Sequence, residues 1–108
     1  MTYEVVVTAA AKRNLQAEYL WAAERAPHTA ALWLQRFEAE LQTLAHNPER
    51  FQLAPENTLV EPDIRQLIFG RRQGAYRALF TIAGKQVQVL HIRRAARDWA
   101  RPEDLVAE

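Results

Sequence analysis

Apolar and β-branched residues gather first at Tyr3-Glu4-Val5-Val6-Val7, which predicts an opening strand. Thr8 follows as an N-cap for a helix. From Ala9 to about Ala26 neither Gly nor Pro interrupts the chain. Ala11, Leu15 and Ala22 fall there at helical spacing, with Tyr19 between them. Pro27 separates this segment from a second, where Ala30, Leu34, Phe37, Leu41 and Leu44 recur at spacings of four and three. That stripe reads as the core-facing side of an amphipathic helix, and the short Pro-containing turn predicts an antiparallel hairpin. One layer of helices must then cover a sheet.

Asn47-Pro48 closes the second helix, and Pro48, Pro55 and Pro62 punctuate a polar loop that runs to Asp63. Its length suits a mobile or functional segment. Three strands follow, over Ile64–Phe69, Ala75–Ala83 and Gln86–Arg93. Gly70 and Gly74 bracket the first turn, and Gly84-Lys85 leaves room only for a hairpin. Ala95 to Ala107 predicts a short C-terminal helix limited by Pro102. The expectation is a single α+β domain over residues 1–108 in the order β-α-α-β-β-β, its helical hairpin on one face of a small, mostly antiparallel sheet.

Strand alternation then bears on the charges. Tyr76, Ala78, Phe80 and Ile82 form the better core face, so Arg77 is expected on the opposite, open face. In the last strand Leu90 and Ile92 share a face with Gln86 and Gln88, against Val87, Val89, His91 and Arg93. Both faces are partly apolar, and the register stays open. Arg65, Leu67 and Phe69 alternate with Ile64, Gln66 and Ile68 with the same ambiguity. A sheet covered on one side only would present a basic concavity on the other, suited to phosphate or to an acidic protein.

Composition sharpens this picture. With 108 residues, 49% hydrophobic and 25% charged, the chain reads as one ordinary globular domain. Zero cysteines exclude disulfides, thiol nucleophiles and thiolate metal sites. No apolar run reaches the length of a membrane helix and no signal-peptide pattern is present, so a cytoplasmic address with no membrane contact is expected. The net charge of +1 conceals segregation: residues 1–60 sum to −2 and residues 61–108 to +3. From Ile64 to Arg97 there are eight cations and no acid, namely Arg65, Arg71, Arg72, Arg77, Lys85, Arg93, Arg94 and Arg97. Arginine outnumbers lysine 12 to 2, which favours bidentate contact with phosphate or carboxylate.

Candidate chemistry is sparse. His28, His46 and His91 lie in three different elements with no metal-ligand spacing, so neither a metal nor another cofactor is expected. There is no nucleophile-elbow motif, no Gly-rich phosphate loop and no paired carboxylates near the basic segment. RNA cleavage asks for less: cations for the pentacovalent phosphorane and groups to move protons. Arg65, Arg77 and Arg97 would supply cations, and His91 or Tyr76 the proton transfer. The competing structural reading pairs Arg77 and Arg97 with Glu61, Asp63 or Asp98.

Taken together the residues resemble the RelE/ParE superfamily of toxins from bacterial type II toxin–antitoxin, or plasmid stabilisation, modules. In the first half the resemblance rests on Tyr3, Val5, Thr8, Ala11, Leu15, Tyr19, Pro27, Ala30, Trp33, Leu41, Leu44 and Pro48. It is denser later, in Ile64-Arg65-Gln66-Leu67, Gly70, Tyr76-Arg77-Ala78-Leu79-Phe80, Val87-Gln88-Val89-Leu90 and Ala96-Arg97-Asp98-Trp99. It covers roughly Tyr3 to Leu105. The resemblance implies a growth inhibitor neutralised by a cognate antitoxin, in a toxin–antitoxin hetero-oligomer. Its acidic, partly disordered segment would wrap the basic sheet face and the helices.

The resemblance also implies a divided target, DNA gyrase for ParE-like members and messenger RNA on the ribosome for RelE-like ones. Arg77 and Arg97 match positions where the ribosome-dependent, metal-independent endoribonucleases place phosphate-stabilising arginines, and Arg65 matches the basic strand position before them. If the chain is a nuclease, Arg77, Arg97 and His91 form its catalytic set. Arg65, Arg71, Arg72, Arg93 and Arg94 form the target-binding or nucleic-acid-binding set. Gln66 and Ile68 stand where such nucleases add lysines, and no tyrosine follows Trp99. Arg94-Ala95-Ala96-Arg97-Asp98 replaces the frequent His-Gly-Ala-Arg-Asp. These departures favour gyrase inhibition over mRNA cleavage, with an inactivated, non-catalytic binding module as a further alternative.

Overall fold

Strand β1 (Glu4–Val7) gives way to helix α1 (Ala9–Ala23) at Thr8, whose Oγ1 accepts the Ala11 N–H at 3.2 Å. A cap of this kind contributes about 1 kcal/mol. In this computed structural model, which describes residues 2–71 and 74–106, Pro27 opens helix α2 (Pro27–Gln42) at a position where its missing N–H is harmless. Strands β2 (Arg65–Phe69), β3 (Tyr76–Ala83) and β4 (Gln86–Arg94) complete one sheet in the order β1-β4-β3-β2. β1 runs parallel to β4 and the other pairs are antiparallel. The expected order of elements is observed. The Gly84-Lys85 turn is the expected tight hairpin, with Gly84 at φ +61°.

The helices cover one face. Ala11, Leu15, Phe37, Leu41 and Leu44 pack there against Leu67, Tyr76, Ala78, Phe80, Val87, Val89 and Ile92. Phe37 stacks on Phe69 with centroids 4.6 Å apart, and Trp33 leans on Tyr76 at 5.2 Å. The anticipated core face of β3 is therefore correct.

A β-bulge resolves the ambiguity in β4. Leu79 pairs with His91 but Phe80 pairs with Val89, which leaves Leu90 as the extra residue. Side chains change phase there. Val87, Val89 and Ile92 all reach the helical face, while Leu90 joins the opposite one. Strict alternation cannot show this, because both halves of the strand look amphipathic in different registers. β4 also outruns β1, so its outer backbone groups find side-chain partners: Asn14 Oδ1 accepts the Ile92 N–H at 3.0 Å.

The opposite face corrects the expected open concavity. It holds its own core of Ala54, Ile64, Leu79, Leu90, Ala100 and Leu105, covered by the segment from Gln52 to Ile64 and by the tail. That segment, expected as part of a mobile or functional loop, is tied down. Gln66 N–H donates to Gln52 O, Ala54 N–H to Ile64 O, and Ile64 N–H to Asn57 Oδ1. The predicted C-terminal helix is instead one 3-10 turn, Pro102–Leu105. Pro102 has no N–H to continue a helix across it, and Leu105 anchors the turn in the second core.

Candidate functional site

Arg77 lies on the predicted face, but that face is not open. Only 6% of the residue is exposed, and its guanidinium makes a fork–fork pair with Glu56, which is fully buried. Nη1 reaches Oε1 at 2.9 Å and Nη2 reaches Oε2 at 2.7 Å, while Nη1 also donates to Gln66 Oε1. Oε2 further accepts the Ala100 N–H at 2.7 Å. Burial works to raise the Glu56 pKa, but the Arg77 fork and backbone donors outweigh it and hold the carboxyl below its usual range. The partner is thus Glu56, not Glu61, Asp63 or Asp98. Nothing in the periodicity marks Glu56. It sits in a Pro-rich loop, and only folding that loop over the sheet brings it to β3.

Among the described residues, the other cations of the basic segment do not form one surface. Arg65 turns towards the helical side, where Nη1 donates to Phe51 O at 2.6 Å and Glu49 O at 3.2 Å. Arg94 is on that side too, pairing with Glu18 at 3.8 Å and lying over the Trp21 ring. Tyr76 donates to Glu18 Oε2 at 3.1 Å, and burial followed by the charge of Glu18 pushes its phenol above the ordinary range. It is a poor base. Arg71 is exposed beside Gly70, and Arg72 lies outside the described residues. The described arginines of the basic segment are dispersed over both faces and the tail because alternation, the bulge and the turns point them in different directions.

Three predicted residues do converge. His91, Arg93 and Arg97 line an open cleft of about 680 Å³ between the end of β4 and the tail, with Trp99 also on its wall. Arg93 is directly across the sheet from Arg77, an unfavourable placement for two like charges. Glu56 answers Arg77. Among the described residues Arg93 has the more distant Asp104 Oδ2, at 4.0 Å, and that oxygen already accepts the Arg101 N–H at 3.0 Å. Among the described residues, Arg93 Nε and Nη1 are enclosed and lack any hydrogen-bond acceptor. Burial and the charge of Arg97 lower the Arg93 pKa, partly offset by Asp104. Burial also lowers the pKa of His91. Asp104 opposes that shift while Arg93, Arg97 and Arg77 reinforce it.

The chain matches, over residues 5–99, the family described as ParE toxin of type II toxin-antitoxin system, parDE. The chain belongs to this toxin family. It is 32% identical over 92 residues to Toxin RelE1 of Caulobacter vibrioides, covering 85% of this chain and 92% of that one. Its fold matches a chain of the chromosomal ParDE TA system from P. aeruginosa with a TM-score of 0.71. That match spans 86% of this chain and 96% of the other at 23% identity, a likeness of fold alone. As a type II toxin the chain has an antitoxin as its counterpart. Among the described residues no helix is long and apolar enough to cross a membrane.

Proposed function

We propose that this toxin arrests growth by inhibiting DNA gyrase, and that a cognate antitoxin silences it by binding its folded surface. The observation that carries the choice of target is the closed Arg77–Glu56 pair. An arginine held by a buried carboxylate is not free to neutralise a phosphorane, and opening the pair would strand Glu56 without its cation. Arg65 is likewise engaged with main-chain carbonyls. What is left of the nuclease set is Arg97 and a histidine held neutral near pH 7 by burial.

Two assays test the target. The purified toxin is expected to block supercoiling by gyrase and to leave ribosome-bound message intact. Cuts at codon boundaries in that message would overturn the reading in favour of an mRNA endoribonuclease. One observation favours this second reading, namely that His91 and Arg97 line the same cleft. Growth at full strength on expression without an antitoxin would instead indicate an inactivated binding module.

A further inference from the structure

The cleft beside the tail holds an under-compensated guanidinium with no established use. Arg93 is only 9% exposed, and its ionic partner stands beyond hydrogen-bond distance because Asp104 is committed to the Arg101 backbone. A buried cation in this state gains from any anion that reaches the cleft. Arg97 is exposed on the same wall and provides a second planar donor. Trp99, 53% exposed, adds an apolar rim of the kind that anchors protein contacts.

We propose that this cleft seats one carboxylate side chain of an acidic polypeptide, taken by Arg93 and Arg97 with His91 at its edge. The proposal rests on the antitoxin reading above for its partner class.

The acids in the cleft select the ligand. Asp98, Glu103 and Asp104 line it alongside Arg93, Arg97 and Arg101, so three negative charges face three positive ones. A nucleic-acid strand would bring successive phosphates past those carboxylates. A single carboxylate on a neutral main chain needs only the two guanidinium groups and meets less repulsion.

Binding is linked to a proton on His91. Asp104 and Glu103 face the imidazole from the tail, Arg93, Arg97 and Arg77 from the sheet and the turn after it, and Arg13 and Asn14 from α1. Burial and then the surrounding arginines oppose its protonation, and a bound carboxylate cancels part of the arginines' field. Protonation then favours binding, and binding favours protonation.

The test is calorimetric titration of the full chain with three probes. These are a blocked hexapeptide with one central glutamate among serine and leucine, its glutamine counterpart, and a hexauridylate RNA. Expected are saturable binding of the acidic peptide alone and affinity that rises about threefold from about pH 7.5 to about pH 6. Arg97→Gln, at an exposed position, should weaken binding about tenfold with an unchanged fold. Arg93→Lys should weaken it too, since an ammonium cannot reproduce the planar contact. Tighter binding of the RNA, equal binding of the glutamine peptide, or undiminished affinity in Arg97→Gln would each overturn the proposal. Since the readout is binding by the isolated chain, it can fail while gyrase inhibition stands, and the reverse.

Discussion

Glu56 binds Arg77 through both carboxylate oxygens and, through Oε2, also holds the Ala100 N–H. One buried side chain thereby fastens the central strand β3, the loop after α2 and the tail to one another. It closes the face of the sheet that the helices leave bare.

Removing that carboxylate strands a buried cation. Glu56→Ala is expected to destabilise the fold by about 3–5 kcal/mol, read from the urea midpoint, and to speed hydrogen exchange at Ala100. Adding Arg77→Met should return much of the loss. If the double variant is no more stable than Glu56→Ala, the pair does not carry this stability.

The same carboxyl sets a limit in acid. Its folded pKa lies below the ordinary value, so its contribution is complete above the unfolded pKa of about 4.3 and is lost as pH falls through the folded one. The urea midpoint should therefore drop steeply below about pH 4. In Glu56→Gln that drop should be shallower.

His91 acts in a higher window with the same sign. Burial depresses its pKa, so below about pH 6.5 the unfolded chain binds the proton that the folded chain refuses. Stability should fall as pH is lowered from about 7 to about 5.5. His91→Gln should flatten that slope, which denaturation curves at three pH values would reveal.

Asn14 completes the strand that outruns β1. Asn14→Ala leaves the Ile92 N–H without its acceptor and should destabilise the protein by about 1–3 kcal/mol, measured by thermal or urea unfolding. A change below about 0.5 kcal/mol would mean that water replaces the amide.

Much of the architecture was legible in the chain. The helical stripe from Ala30 to Leu44, the cap at Thr8, the tight turn at Gly84 and the core face of β3 each depend on neighbours within a few residues. The strand register near Leu90 was not, because a bulge moves the alternation by one residue at a point no local pattern declares. The tail shows the same limit. Its residues from Ala95 onward carry a weak helical signal, which Pro102 and the burial of Leu105 override.

The candidate site divides along the same line. The sequence by itself determined the toxin fold, the absence of thiol chemistry and the concentration of arginine between Ile64 and Arg97. Only the tertiary structure decided what those arginines do. Arg77 meets Glu56 across a loop, Arg65 clasps carbonyls, Arg94 leans on Trp21, and Arg93 stays short of a partner beside His91 and Arg97. A charge is written in the sequence, but its availability depends on which distant acid or carbonyl the fold brings within about 3 Å of it.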